Sequence, residues 1–590
     1  MCGIAGVAMA DGSAPDGALV GRMIKAIAHR GPDGEGAHAG GSVAMAHNRL
    51  AIIDLETGNQ PIRGPRGIVL AANAEIYNYI ELRRELGESM FNTRSDCEPP
   101  VHLYAGEGTG FGRALRGMYA IAIADEAAGR VVLSRDPFGI KPLYTAAIEG
   151  GTAFASEPAA LVAAGLVAPR LNATARDEML QLQYSTGRRT IFEGVDRVLP
   201  GETLTIEAGG IVDRLDKAAL PDGAPADWDE EEAVRRFDAA FMNSVEVHQR
   251  ADVPYGMFLS GGIDSSAVLA AMRDLNDRPV QAFTAGFSGT RAADEREHAE
   301  AVARAAGADF HAIDVDAADF WRDLPAIAAA LDDPAADYAA IPTYKLGRLV
   351  HDRGLKVVLS GEGGDELFAG YGRYRRLLRP RFLGGGAMRR KGAFEGLGVL
   401  RDDGDGWRAG LDRALAREAT AGRTRLQAAQ AMDCADWLPN DLLIKLDRCL
   451  MAHGVEGRTP FLDRRVADVA MRLPDNLKVR GRTGKYVLRR WLERKLPEAR
   501  PFARKKGFTV PVGEWIAARS GELSRLVARQ PCIEEVCHPA AVEALFRTLD
   551  PNRPRAAQAA WRLLFYALWH RRHMEGRAPD GDVFEVLSAN

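Results

Sequence analysis

Residues 253–273 read VPYGMFLSGGIDSSAVLAAMR. An apolar run, Val253–Leu259, meets a turn of small residues, Ser260-Gly261-Gly262, and Asp264–Arg273 then carries a helical pattern. The order is strand, glycine turn, helix. Small residues there let backbone N–H groups and the hydroxyls of Ser260 and Ser265 surround an anion at the positive end of a helix, and phosphate is the natural guest. The stretch lacks G-x-x-x-x-G-K-[ST], so it is not the loop that cradles the β- and γ-phosphates of NTPases.

The same pattern repeats outward. Val280–Phe287 reads as another buried strand, and Leu355–Leu359 runs into Ser360-Gly361-Glu362-Gly363-Gly364-Asp365-Glu366 and a further helix. Strands alternating with helices predict an α/β doubly wound parallel sheet, which binds ligands beyond the C-terminal ends of its strands. Asp264 and Asp365 fall at two such ends, where paired carboxylates can hold Mg²⁺ against pyrophosphate oxygens. The bland alternative for Asp365 is a favourable charge at a helix N-terminus. From about residue 425 the chain reads as mainly helical, and the Gly-, Arg- and Asp-rich segment 384–410 reads as a loop or insert.

Residues 1–205 have a different texture. Short apolar strands (Ser42–Ala46, Ile68–Ala72, Tyr119–Ala124, Val131–Ser134) are broken by Gly, Pro and Asn turns, with helices near Val20–Ala28 and Tyr79–Leu86. This predicts an α+β layered domain over 1–205 and a second domain over 206–590. The polar stretch Pro221–Glu232 and a helix over about 231–250 place the junction within 205–230.

Composition limits the partners. The chain has 590 residues, too many for one core, with 76 Lys plus Arg against 80 Asp plus Glu, a net charge of −4. That balance argues against nucleic acid as main partner, and basic runs such as Arg373-Tyr374-Arg375-Arg376 and Arg504-Lys505-Lys506 read as local solvated faces. No signal peptide and no apolar stretch of about 18 residues or more is visible, so a soluble cytoplasmic protein without a membrane partner is expected. The six cysteines (Cys2, Cys97, Cys434, Cys449, Cys532, Cys537) show no zinc-site spacing and suggest reduced thiols.

Cys2 is the exception in kind. Removal of Met1 would leave it with a free α-amino group, whose pKa near ~8 suits it to serve as base for its own thiol. Taken alone, a cysteine at position two can be chance. It stands with Met1–Val7, His29-Arg30-Gly31-Pro32-Asp33, His47–Asp54, Asn73–Asn78, Ser95-Asp96-Cys97-Glu98 and Ser134–Tyr144. In this order these motifs resemble the class II glutamine amidotransferases, whose fold is the N-terminal-nucleophile αββα sandwich. The resemblance implies that Cys2 is the nucleophile and that Arg49 holds the glutamine α-carboxylate, with the backbone of Leu50, Ala51, Ile52 and Ile53 alongside. It implies that Glu75 and Asp96 hold the α-ammonium group, and that Asn73 and the N–H of Ala74 form an oxyanion hole. Arg30 and Asp33 read equally well as parts of a turn-forming loop. The family has Gly where this chain has Ala74; if that position needs a positive φ, Ala strains it by ~1–2 kcal/mol. Pro99-Pro100 replace usually apolar positions, so the helix there should start differently.

In the second half, SGGxDS resembles the pyrophosphate (PP-) loop of Rossmann-like domains that split ATP to AMP and pyrophosphate. With Ser360–Glu366, Leu446–Asp463, Gly484-Lys485-Tyr486 and Lys505-Lys506-Gly507-Phe508, the chain resembles the glutamine-hydrolysing asparagine synthetase family over nearly its full length. That likeness implies ATP contacts at Leu259, Ser260, Gly261, Gly262, Asp264, Ser265, Ser360 and Gly361, and Mg²⁺ at Asp264 and Asp365. It implies that Lys485 neutralises phosphate charge and that Glu362 takes a proton from attacking ammonia. The substrates would be ATP, glutamine and a carboxylate, aspartate first, with a modified peptide or a sugar uronate as alternative. Gly457, Thr459 and the 384–410 insert depart from the family near the acceptor side. Other class II amidotransferases have no place for Ser260–Ser265, and a non-catalytic sensor would be expected to have lost one of Cys2, Asp264 and Asp365. The sequence leaves the assembly open, a homodimer included.

Overall fold

The computed structural model describes residues 2–13, 15–292, 294–379, 385, 388–389, 391–402, 404–503 and 509–589. The runs Arg504-Lys505-Lys506 and Lys505-Lys506-Gly507-Phe508 lie outside the described residues, as do Met1 and parts of segment 384–410.

The first half contains twelve described strands: β1 (Gly3–Met9), β2 (Gly34–Gly40), β3 (Val43–Arg49), β4 (Ile62–Arg63), β5 (Val69–Ile76), β6 (Gly117–Asp125), β7 (Arg130–Arg135), β8 (Tyr144–Ile148), β9 (Gly151–Ala155), β10 (Val195–Arg197), β11 (Glu202–Glu207) and β12 (Gly210–Asp216). They form two antiparallel six-stranded sheets, in the orders β10-β8-β9-β1-β3-β2 and β12-β11-β7-β6-β5-β4. Strand alternation sorts the side chains into layers. Ile4, Ala8, Val43 and Met45 of the first sheet meet Val69, Ala71, Ala120 and Ala122 of the second in one core. On the outer face of the first sheet, Ala5, Val7, Ala44 and Ala46 pack under helices α1 (Gly17–Ala26), α4 (Pro158–Ala163) and α5 (Ala173–Leu182). On the outer face of the second, Leu70, Ala72, Ala74 and Ile76 pack under α2 (Tyr79–Leu86) and α3 (Pro99–Glu107). The result is a four-layer αββα sandwich. Helix α3 begins at Pro99 itself, with Pro99-Pro100 in the first turn, where proline's fixed φ and missing N–H are tolerated.

The hairpin β11–β12 adds to β7, so the sheet runs on past residue 205 to Asp216. A polar connection then leads to α6 (Glu230–His248), capped by the Asp229 side chain accepting from Glu232 N–H. Beyond it, β13 (Tyr255–Phe258), β14 (Gln281–Gly286), β15 (Asp309–Asp314), β16 (Val357–Leu359) and β17 (Glu456–Arg458) form a five-stranded sheet in the order β15-β14-β13-β16-β17. Every pairing is parallel. Strand order reverses between β13 and β16, the switch point at which such sheets open a crevice. Both glycine loops leave the sheet there.

The sequence did not suggest β17. It is three residues long and two of them are charged, yet all three are buried. At its centre is Gly457, where a Cβ would lie about 3.0–3.1 Å from the side chains of Leu446 and Leu450, so a larger residue there would need those leucines to shift. Thr459, next in the chain, is also fully buried. The departures at 457 and 459 are therefore core positions at the edge of the sheet. The described part of segment 384–410 is docked rather than loose: the N–H groups of Ala393 and Phe394 donate to Gln181 of α5, and Leu400 bridges to Cys537. The long helix Pro554–His573, which precedes a last short helix at Val583–Ser588, packs against both halves, with Trp569 5.7 Å from Phe192.

Candidate active sites

At the end of the sandwich that faces the second domain, the inner faces turn polar while keeping their parity. Cys2 continues the Ile4 face, His47 and Arg49 continue the Val43 face, and Asn73 and Glu75 continue the Ala71 face. All five are buried. Two facing sheets thus bring a thiol, a guanidinium, an amide and a carboxylate into one space by alternation alone. The Cys2 backbone N–H donates to Asn73 Oδ1 at 3.0 Å. That fixes the amide orientation and turns Asn73 Nδ2 away; it is fully buried without a hydrogen-bond partner. An orphaned buried donor is costly unless something is meant to meet it. Burial pushes the Cys2 thiol up, against a backbone hydrogen bond from Leu50. His47 is held neutral, its pKa pushed down to about 3 by burial.

Ala74 lies inside β5, opposite Tyr119, and is not among the residues with positive φ. The strain expected there is absent. Its side chain points away from Cys2 into the core under α3, where its carbonyl accepts from Cys97 Sγ at 3.8 Å. Ala72 N–H donates to Gln60 Oε1 and Ile76 N–H donates to Asp96 Oδ2, both at the open edge of β5. Alternation directs the Ala74 N–H to that edge between them.

Arg49 ends β3 and is tied to the loop that follows, donating to Asn59 Oδ1 at 2.8 Å and to the carbonyls of Ile53 and Asp54. Leu50, Ala51, Ile52 and Ile53 are part of that loop, and Ala51 N–H donates to Asp33. Asp33 also accepts from Lys356 of the second domain, so it is a structural link. Arg30 is one too. Its Nε donates to the Cys2 carbonyl, and its two terminal nitrogens reach Asp447 and Glu157 at 2.7–3.0 Å. Glu75 and Asp96 lie together, but Glu75 is already paired, with Arg458 of β17 at 2.9 Å. Burial raises both acids, Asp96 to about 6; the neighbouring charges of Glu456 and Asp96 add to the rise of Glu75 and Arg458 opposes it.

The second site is a cavity of about 640 Å³ beyond the ends of β13 and β16. Leu259, Ser260, Gly261, Gly262, Asp264, Ser265, Ser360, Gly361, Glu362, Asp365 and Lys485 all line it. The first loop is braced by its own hydroxyls: Ser260 N–H donates to Ser265 Oγ at 3.2 Å and Gly262 N–H to Ser260 Oγ at 3.2 Å. Gly261 has φ +73, and a Cβ at Gly361 would meet Asp264 Cβ at 2.9 Å, so the loops approach as closely as they do only with glycine at these places. Asp264 opens α7 (Ile263–Leu275), and Asp365 opens the short helix after β16.

Lys485 sits between them. Its ammonium contacts Asp264 Oδ2 and lies 2.6 Å from Asp365 Oδ1. Burial opposes its charge, yet the two carboxylates outweigh burial and raise its pKa. Two carboxylates that share one cation, both hard oxygen donors, fit a divalent ion completed by phosphate oxygens. Among the described residues no cluster of three or more His, Cys, Asp or Glu forms a metal site within the protein alone. Glu362 faces the same cavity, its pKa raised by burial, with Lys445 3.7 Å away. Lys445 is bound in turn to Asp337 at 3.0 Å. Lys445 and Asp337 were not legible as neighbours of this site, because they pair across more than 100 positions, and Arg458, although part of the Leu446–Asp463 motif, meets Glu75 only across the two domains. No helix among the described residues is long and apolar enough to cross a membrane.

The glutamine amidotransferase domain model matches residues 1–215 and the asparagine synthase model matches residues 236–571. The chain is 35% identical to a putative asparagine synthetase (glutamine-hydrolyzing) of Mycobacterium tuberculosis (strain ATCC 25618 / H37Rv), over 98% of both chains. It is 31% identical to asparagine synthetase (glutamine-hydrolyzing) 1 of Bacillus subtilis (strain 168), again over 98% of both. It is also 33% identical to the amidase chyE of Penicillium rubens (strain ATCC 28089 / DSM 1075 / NRRL 1951 / Wisconsin 54-1255), over 59% of this chain and 54% of that one.

Proposed function

Because the chain belongs to the asparagine synthase family and carries a glutamine amidotransferase domain ahead of it, we propose that it converts ATP, aspartate and glutamine to asparagine, glutamate, AMP and pyrophosphate. The observation that carries this reading is the convergence of Asp264, Asp365 and Lys485 beside two glycine loops, in the same chain as Cys2 bonded to Asn73.

With Met1 removed, the Cys2 α-amino group takes the thiol proton and the sulfur attacks the glutamine amide carbon. Asn73 Nδ2 and the Ala74 N–H receive the charge that develops on oxygen. Ammonia leaves with the proton, and water then releases glutamate from the thioester. Arg49 holds the substrate carboxylate, and Glu75 with Asp96 its ammonium group. In the second site the aspartate side-chain carboxylate attacks the α-phosphorus of ATP, and the bond to the pyrophosphate oxygen breaks. Ser260, Ser265 and the loop amides hold the pyrophosphate while Lys485 neutralises it. Asp264 and Asp365 would hold Mg²⁺, which supplies positive charge to the departing oxygens. Ammonia attacks the acyl carbon, AMP leaves, and Glu362 takes the proton. Its raised pKa suits a base working near neutrality.

A second reading keeps this chemistry and changes the acceptor to another carboxylate. The specific support for it is the Penicillium rubens relative, which is named as an amidase. Pyrophosphate release with ATP, Mg²⁺ and glutamine across a panel of carboxylates decides between them. Stimulation by aspartate with asparagine as product supports the first reading; stimulation by another acid alone supports the second. ADP and phosphate as products would overturn both.

A further inference from the structure

Arg458 belongs to neither set of expected catalytic groups, yet it touches both sites. It is wholly buried at the end of β17. Its guanidinium pairs with Glu75 of the sandwich at 2.9 Å and with Glu456 at 2.6 Å, and donates to the carbonyls of His248 and Arg250 at 2.8 and 2.7 Å. Its backbone carbonyl accepts the N–H of Ser360 at 2.8 Å, the first residue of the second glycine loop. One residue thus holds a carboxylate of the glutamine site with its side chain and the entry of the nucleotide loop with its main chain.

We propose that Arg458 is the positioning residue that couples glutamine binding to nucleotide binding. The inference rests on the two-site function above. Glu75 cannot keep a full ion pair with Arg458 and also meet an incoming α-ammonium group, since two cations then divide one carboxylate. When glutamine binds, the guanidinium shifts its weight towards Glu456, and the strand residue that carries it moves the Ser360 anchor. Nucleotide on the loop restrains that anchor and acts back on Glu75. Coupling of this kind is reciprocal: each ligand changes the other's affinity by the same factor.

The test uses the Cys2→Ala protein, which does not consume glutamine, with an α,β-methylene ATP analogue and Mg²⁺. Calorimetric Kd values for glutamine with and without the analogue, and for the analogue with and without glutamine, should differ by one shared factor of about fivefold or more. In Cys2→Ala/Arg458→Lys, whose ammonium cannot bridge both acids, the factor should fall to within about twofold of unity while both ligands still bind. A purely structural role would change affinity or stability and leave the factor in place. Should the lysine variant not fold, Arg458→Gln/Glu456→Gln removes one charge of each sign and serves instead. A factor of unity in the Cys2→Ala parent, or an unchanged factor in the Arg458 variants, overturns the coupling. Failure of the analogue to bind the parent at all would overturn the synthetase reading itself.

Discussion

The two sites are built on opposite principles. In the sandwich, Cys2, Arg49, Asn73 and Glu75 are strand or strand-end residues whose placement follows from which face an alternating chain presents. In the parallel sheet, Ser260–Asp264 and Ser360–Asp365 are loop and helix-start residues whose meeting follows from strand order, β13 beside β16. In the first site the thiol, Asn73 and Glu75 are buried and Asn73 Nδ2 has no hydrogen-bond partner; the second is a crevice in which Lys485 is paired with Asp264 and Asp365.

The sharpest way to break this division is to disable one site and watch the other. Cys2→Ala should remove glutamine-dependent synthesis entirely and leave ammonia-dependent AMP formation within about twofold, because removing a nucleophile removes the chemistry and not the fold. Parallel loss of both activities would mean that the sites are not separable. The converse pair, Asp264→Asn and Asp365→Asn, should each lower synthesis by about 10²–10⁴-fold, equivalent to the several kcal/mol that a metal contributes to a departing pyrophosphate. Their glutaminase rates, followed by glutamate release, should match wild type. Normal turnover in either would make that carboxylate a helix-end charge.

Smaller effects sharpen the account of the first site. Asn73→Ala should reduce the glutaminase kcat by about 10²–10³-fold through loss of an oxyanion donor. A change confined to KM would assign Asn73 to substrate binding alone. The pH dependence follows from Asp96, whose pKa is pushed up to about 6 by burial. Above that pH its carboxylate is charged and attracts the glutamine ammonium. Below it the group takes up a proton, so the KM for glutamine should rise as pH falls through about 6. A KM flat from pH 5 to 8 would contradict this. The smallest effect is expected at Ala74→Gly. With no positive φ to relieve, the change adds chain entropy to the unfolded state and empties a methyl site under α3, so stability should fall by about 0.5–1 kcal/mol with no gain in rate. A faster glutaminase would restore the idea of strain at that position.

Legibility in the sequence tracked locality. The strand–turn–helix of each glycine loop could be read because strand, turn and helix all lie within about twenty consecutive residues, and Cys2 could be proposed as a nucleophile because its chemistry belongs to one residue. The edge strand Glu456–Arg458 could not, since two charges in three residues signal surface unless a partner is known. That partner, Glu75, lies in the other domain. The expected strain at Ala74 failed for a related reason. A family glycine suggests a special φ, but here the backbone is paired with Tyr119 and remains extended.

By itself, then, the sequence pointed to the two classes of domain and their order, and it singled out Cys2 and the two glycine loops as candidates, because periodicity and turn chemistry are short-range properties. Tertiary structure alone decided that Lys485 bridges Asp264 and Asp365, that Arg30 ties Cys2 to Asp447, and that Arg458 joins Glu75 to the loop at Ser360. Each of these is a buried charge with a partner far along the chain that helps to meet its cost. Until the sheets are stacked and the strands are ordered, no local rule identifies that partner.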